Sequence, residues 1–143
     1  MRGFTGLRLL LAAGVFALQV PAAGAVAAEA EGPLIRSVRV ETGVEGKVGV
    51  FFRLSGYFIP ACFGIAGDLP RFVCDFDDTR LAEGIETEIA TKGRILSRIR
   101  IGRHGEQHRK VRVVLDLKPA SGFHIEQIFV EENNEYVLIV QPE

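Results

Sequence analysis

The sequence predicts an all-β fold, an antiparallel β-sandwich of two pseudo-symmetric sheets with about eight strands. Three observations lead to this prediction. Apolar and β-branched residues alternate with polar ones over short runs, which is typical of strands with one buried and one solvated face. Turn residues separate these runs at even spacing, as they do in sandwiches and barrels. In addition, the second half of the chain repeats the pattern of the first.

The strand-like runs follow one another along most of the chain. Pro60 interrupts the third run, which favours a sheet edge or a bulge because proline cannot donate to a β ladder. Residues 77–93 are the least strand-like. There Leu81, Ile85 and Ile89 recur at helical spacing but a glycine interrupts them, so we predict a loop with one short helical turn. The predicted strands span residues 35–40, 48–54, 57–65, 71–76, 95–103, 110–118, 123–131 and 136–141.

The internal repeat is visible when the two halves are aligned. Val38-Arg39-Val40 recurs as Ile99-Arg100-Ile101, and residues 48–54 recur as residues 111–117, with offsets that stay between 61 and 65. Self-similarity at a nearly fixed period indicates a duplicated supersecondary unit, although chance similarity of strand patterns is the alternative. Because four strands cannot bury their apolar face alone, we expect the two units to pack face to face.

Residues 1–28 have the layout of a secretory signal peptide. Two arginines come first, then a largely apolar stretch of twelve residues from Leu9 to Val20, and then a stretch of small residues ending at Ala28. An uncleaved membrane anchor is the alternative, but a spanning helix needs roughly 20 apolar residues. We therefore predict cleavage near Ala28, which leaves a single domain over residues 29–143 in the periplasm, with no membrane span.

Charge is unevenly distributed along the predicted mature chain. Overall it is slightly acidic, which argues against a nucleic-acid-binding protein, as export also does. Residues 94–118, in contrast, contain eight basic and only two acidic side chains. Such a segment creates a local positive field that can attract an anionic partner. The candidate binding residues in it are Arg98, Arg100, Arg103, Arg109, Lys110 and Arg112.

Two interpretations of this basic segment remain open. In one, it is an ordinary solvated β face whose charges are balanced across strands by Glu126, Glu131 and other acids. In the other, its guanidinium groups pair with ligand carboxylates in bidentate fashion. Tyr57, Phe58 and Phe123 follow glycines at matching positions of the two halves and could stack on sugar rings, although core packing is the alternative for the two phenylalanines.

Cys62 and Cys74 lie in the predicted exported part, where an oxidising compartment favours disulfides. If residues 67–69 form the tip of a hairpin centred on Asp68, the two cysteines lie directly opposite each other. A cross-strand disulfide is then geometrically possible. Two buried free thiols, or a metal pair without further ligands, are the alternatives.

Other candidate ligands are weaker. His104 and His108 have a spacing seen in zinc sites, but a glycine-containing turn between two strands favours solvated histidines. Asp75, Asp77 and Asp78 lack the glycine and distal glutamate of a calcium-binding loop. The sequence contains no phosphate-binding loop and no serine nucleophile elbow. We predict no catalytic residue, no metal and no cofactor.

The order and spacing of several short motifs resemble the AMIN domain. This module occurs at the N-termini of some periplasmic N-acetylmuramoyl-L-alanine amidases and of type IV pilus secretins. The matching segments are residues 35–40, 50–56, 69–76, 99–102 and 112–117. Two features depart from the family pattern. Cys74 replaces the usual aliphatic residue beside the motif aspartate, and the chain stops at Glu143, so we expect the module to stand alone.

The resemblance implies a β-sandwich that binds peptidoglycan and localises or scaffolds its host in the cell envelope. It supplies no residue-level binding positions. The sequence analysis therefore predicts a non-catalytic, exported peptidoglycan-binding module. The second candidate is a protein–protein interaction module of an envelope complex, such as a pilus or secretion secretin or the division machinery.

Overall fold

The computed structural model of the protein describes residues 32–119 and 122–143. The predicted signal peptide (residues 1–28) and its cleavage point near Ala28 lie outside the described residues. Within the described residues the secondary structure consists of strands and short 3-10 turns, with no α-helix. The prediction of an all-β fold is confirmed.

The described residues form ten strands in two five-stranded sheets. The first sheet has the order β5-β1-β2-β10-β9 and the second has the order β3-β4-β8-β7-β6. Neighbouring strands are antiparallel except for the short β1–β5 pair. The strands are β1 (Leu34–Thr42), β2 (Val48–Leu54), β3 (Ala61–Ile65), β4 (Arg71–Asp77), β5 (Arg80–Leu81), β6 (Glu88–Ala90), β7 (Leu96–His104), β8 (Lys110–Leu117), β9 (Phe123–Val130) and β10 (Glu135–Pro142).

The segment between β4 and β7 differs from its prediction. Instead of a helical turn it contains β5 and β6, two short strands that cover part of the outer edges of β1 and β7. The amide of Ala82 donates to the carbonyl of Ile35, and the amide of Ile101 donates to the carbonyl of Thr87. Because these bonds satisfy edge groups of the sheets, the extended conformation is preferred over a helical turn. Leu81, Ile85 and Ile89 still pack against the core, Leu81 and Ile89 from the two short strands and Ile85 from the loop between them.

The third predicted strand is shorter than expected. The structure places β3 at Ala61, directly after Pro60, so the residues from Tyr57 to Pro60 connect two sheets rather than extend a strand. β3 is an edge strand, as the proline indicated.

The repeat is present, but its two units exchange hairpins rather than forming one sheet each. The hairpin β1–β2 pairs with β9–β10 of the other half, and β7–β8 pairs with β3–β4. The two central pairings share one register: Val50 lies opposite Leu138, and the matching Val113 lies opposite Cys74. Pairing across the halves gives the inner edge of each hairpin a hydrogen-bonding partner, which two separate units would lack.

Two irregularities also recur at equivalent places. The register of β1 shifts between Ile35 and Ser37, and that of β7 shifts between Leu96 and Arg98, which is the same position 61 residues later. The turns that follow these strands both hold a non-glycine residue in the left-handed region, Glu45 in one and Gln107 in the other. Shared irregularities argue for duplication more strongly than a shared strand pattern does.

The core lies between the sheets and is closed on one side by a cluster of aromatic rings. Phe52 and Tyr136 come from the first sheet and lie directly opposite each other on β2 and β10. Phe76 comes from the second sheet, and its ring centroid lies 5.6 Å from that of Phe52 and 6.0 Å from that of Tyr136. Phe58, in the connection before β3, packs edge-on against Phe76. Burial also raises the pKa of the Tyr136 hydroxyl, whose proton is donated to the side-chain oxygen of Gln127.

Cys62 and Cys74 form a disulfide between β3 and β4. They lie directly opposite each other in the register, with Cα atoms 4.1 Å apart. The predicted cross-strand pairing is confirmed, and the alternatives of free thiols or a metal pair are wrong.

Candidate functional site

The outer face of the second sheet carries a row of cations that we call the arginine face, defined by Arg71, Arg98, Arg100, Lys110 and Arg112. It arises from strict alternation along the strands. Ile99, Val111 and Val113 point into the core and have no exposed surface, so the residues between them point to solvent. Of the predicted site residues, the structure brings Arg98, Arg100, Lys110 and Arg112 together on this face.

One cluster on the arginine face is organised by Asp116. Arg100 donates to this carboxylate from Nε and from Nη2, at 2.8 and 2.7 Å. Arg98 donates to it from Nε at 2.7 Å and reaches Glu88 with Nη1 at 3.1 Å. The hydrogen bonds from Arg100, opposed by partial burial and helped by those from Arg98, lower the pKa of Asp116 below its usual value.

A second cluster is organised by Asp75, which is nearly buried. Arg112 forms a bidentate pair with it, with Nε 2.8 Å from Oδ1 and Nη2 2.9 Å from Oδ2. Lys110 lies between Asp75 and Asp77, with Nζ 3.5 and 3.4 Å from their oxygens. The hydrogen bonds from Arg112 lower the pKa of Asp75 despite the opposing effect of burial.

The charges are therefore balanced by acids other than those expected. Glu126 lies on β9 of the first sheet and Glu131 directly after it, so neither faces these arginines. The balancing residues are instead Asp75, Asp116 and Glu88. The two aspartates occupy outward positions of predicted strands, so their alternation was a usable signal. The pairing of β4 with β8 was not visible in the sequence.

Arg103 and Arg109 stand apart from the arginine face. Arg103 lies opposite Val111, which is a core position. Its place in the register therefore puts it on the inner face of the sheet, at the end of β7. Arg109 follows the β7–β8 turn and pairs with Asp78 at 3.1 Å. His104 and His108 also lie at this turn, and the described residues contain no cluster of three or more potential ligands suited to a metal.

A residue that the sequence analysis missed, Arg71, completes the face. It lies on β4 directly opposite Asp116, but Asp116 is already bound by two other arginines. Arg71 is exposed and, among the described residues, has no ion-pair partner. A concave site of about 330 Å³ lies here, with Arg71, Arg98, Arg100 and Asp116 around it and Leu69 and Pro70 as an apolar wall. Three guanidinium groups thus surround one carboxylate.

Comparison with known families decides what this chain is related to. The family model of the AMIN domain matches residues 37–140, which include all strands of both repeat units except the ends of β1 and β10. The chain belongs to the AMIN domain family. Searches of curated proteins and of solved structures returned no match.

Membership gives a general description of this AMIN domain. AMIN domains are peptidoglycan-associated localisation modules, typically periplasmic, and are themselves non-catalytic. Among residues 32–119 and 122–143 no helix has the length and apolarity needed to cross a membrane.

The two aspartate clusters predict how the stability of this AMIN domain depends on pH. Asp75 and Asp116 have lowered pKa values in the folded state, so the unfolded chain binds more protons at acidic pH. Their stabilising contribution is complete above the ordinary aspartate pKa of about 3.9 and is lost as the pH falls through their lower folded-state values. We expect Asp116→Asn to cost about 1 to 2 kcal/mol at neutral pH and to flatten the loss of stability in acid.

Thermal or urea unfolding of the variant and the parent between about pH 6 and about pH 3 measures this effect. Glu83→Gln is the matched control, because Glu83 is exposed and has no ion pair within the described part of the chain. If the free energy of unfolding depends on pH in the same way in the parent and in Asp116→Asn, the contribution assigned to Asp116 would be contradicted.

Proposed function

We propose that this protein is an exported, non-catalytic module that binds peptidoglycan and localises or scaffolds in the periplasm. In this proposal residues 1–28 are removed as a signal peptide and residues 29–143 act as one domain. Family membership supports the general role. The arginine face, with the concave site around Arg71, is the proposed contact surface.

The observation that carries this proposal is Arg71, which has no ion-pair partner among the described residues. Peptide stems of the cell wall end in carboxylates, and a guanidinium group binds a carboxylate in bidentate fashion. Arg98 and Arg100 are already held by Asp116, so their remaining N–H groups are ordered before a ligand arrives. Pre-ordered donors lose less conformational entropy on binding. Within the described part of the chain, the site thus combines one cation that has no ion pair with two that Asp116 holds, beside a small apolar wall.

The remaining predicted binding residues have different roles in the same proposal. Arg112 and Lys110 hold Asp75 and extend the positive surface along β8. Arg103 and Arg109, at the β7–β8 turn, would contact only a ligand that extends beyond the face.

We expect Arg71→Ala to weaken retention on purified sacculi roughly tenfold at low salt, since a hydrogen bond to a charged group contributes about 1.5 to 3 kcal/mol. The fold should be unaffected, because Arg71 has no ion pair to lose among the described residues. Co-sedimentation with sacculi over a range of protein concentrations gives the measurement.

Arg36→Ala is the matched control, because Arg36 is an exposed arginine on β1 of the opposite sheet. It should leave retention unchanged. An equal loss of retention in both variants would mean that net charge alone explains the effect, which would count against the site. No retention of the parent protein at low salt would reject peptidoglycan binding altogether. Crosslinking in cells that then recovers an envelope protein would favour the second candidate, a module of a protein complex.

A further inference from the structure

A second surface, separate from the arginine face, lies along β9 at the edge of the first sheet. β9 pairs with β10 over eight consecutive residues without a register shift. Among the described residues no other strand pairs with its outer side. An uncovered edge strand presents unpaired backbone groups that can hydrogen-bond to another chain.

The other sheet edges are better protected than β9. β5 covers the start of β1, and β6 covers the middle of β7. β3, the repeat counterpart of β9, has only five residues, follows Pro60 and is joined to β4 by the disulfide. β9 has eight residues and contains no proline, lysine, arginine or bulge, which are the usual protections of an edge.

The backbone groups available on β9 can be identified from its register. The amide of Glu143 donates to the carbonyl of Gly122, which marks this pair as hydrogen-bonded. Since hydrogen-bonded and open positions alternate in an antiparallel pair, residues 124, 126, 128 and 130 bond to β10. Phe123, Ile125, Gln127 and Phe129 therefore direct their N–H and C=O groups away from the sheet.

The side chains around this edge indicate the chemistry of its partner. Residues 122–143 contain five glutamates and no lysine or arginine. Glu126 lies on the outer face of β9, and Glu131 and Glu132 follow it. Apolar groups lie beside them, since Ile128 is 37% exposed and Tyr57, 65% exposed, packs edge-on against Phe129 with centroids 4.6 Å apart.

We propose that the β9 edge is a strand-addition site for an extended segment of a partner protein in which basic residues alternate with apolar ones. The segment would pair antiparallel with β9, as β10 does, and place its basic side chains on the face of Glu126. Backbone hydrogen bonds supply affinity in this mode of recognition, and alternate side chains supply specificity. A second copy of this chain is disfavoured as the occupant, because pairing two β9 edges brings their glutamates together.

The probe is a synthetic peptide of about eight residues in which lysine and valine alternate. We expect it to bind the purified protein and to protect the amides of Ile125 and Gln127 from hydrogen exchange. Glu126→Lys should weaken binding about tenfold through charge repulsion. Glu41→Lys is the control: it makes the same change in net charge on the outer face of β1, away from β9, and should change binding by less than about twofold.

Two further peptides test the role of the backbone without altering the protein. One carries N-methyl groups on all valine amides and the other on all lysine amides. In a paired strand only one of these sets faces β9, so we expect one peptide to lose binding and the other to keep it. Equal behaviour of the two peptides, or protection located outside β9, would overturn the proposal. A dimer in sedimentation with β9 amides protected in the absence of peptide would overturn the choice of partner. Arg71→Ala should leave peptide binding unchanged, so this test is independent of sacculus binding.

Discussion

Phe76→Ala should destabilise the protein by about 3 to 5 kcal/mol, the range for removing a fully buried phenylalanine ring. The Phe76 ring comes from the second sheet, is 1% exposed, and packs against two aromatic rings of the first sheet and one from the connection before β3. The gap can close only in part, because strand pairing fixes the backbones of the neighbouring Phe52 and Tyr136. Urea unfolding followed by far-ultraviolet circular dichroism gives the free energy of unfolding. We expect a lower urea concentration at the midpoint and little change in the m-value, the dependence of that free energy on urea concentration.

Phe63→Ala is the matched control for this prediction. It makes the same chemical change on β3, where the ring is 43% exposed and its centroid lies 6.0 Å from the guanidinium carbon of Arg112. Surface substitutions of this kind usually change stability by less than about 0.5 kcal/mol. Similar losses in the two variants would mean that the aromatic cluster does not hold the sheets together.

The aromatic cluster also shows where sequence reasoning succeeded. Alternation predicted strands with one buried face, and Phe52 and Phe76 lie on such faces. A period of two can be recognised in the sequence because it depends only on the chain itself. The hairpin from Cys62 to Cys74 was predicted in its correct register for the same reason, since a short turn fixes which residues lie opposite each other.

Pairing between distant strands could not be predicted in this way. Alternation shows which face of a strand is buried but carries no information about which strand lies beside it. The exchange of hairpins between the halves, with β2 beside β10 and β4 beside β8, was therefore missed. Because this strand order was not predicted, neither the pairing of Arg112 with Asp75 nor the position of Arg71 opposite Asp116 was predicted.

These missed contacts change the meaning of the basic segment. As sequence, residues 94–118 have a large excess of positive charge. In the folded protein four of the segment's eight basic side chains pair with Asp75, Asp116 or Glu88; Asp75 and Glu88 come from β4 and β6, and Asp116 lies on β8 within the segment. Arg71, which is exposed and has no ion pair among the described residues, lies outside the basic segment altogether. Counting charges along the sequence of a β protein thus shows which face of a sheet is basic. It does not show which of the basic side chains lack an ion pair, because each strand contributes only every second residue to that face.

Removing the disulfide should cost about 3 kcal/mol, because the bond closes a short loop and restricts the unfolded chain. Cys62 and Cys74 are 12 residues apart in sequence. We expect the double variant Cys62→Ala, Cys74→Ala to unfold at lower urea than the parent. The effect should be concentrated in β3, which pairs only with β4 among the described strands. Hydrogen exchange should therefore accelerate more in β3 than in β8, which is paired on both sides.

A reducing agent separates the loss of the bond from the loss of the sulfur atoms. It should shift the unfolding midpoint of the parent towards that of the double variant and leave the double variant unchanged. Cys74 is buried beside Val113, so part of the stability lost in the variant comes from lost packing. The reduced parent keeps this packing and should therefore stay more stable than the double variant. Equal unfolding free energies for the oxidised and reduced parent would contradict a stabilising role of the bond. β3 would then be held to β4 by its backbone pairing alone.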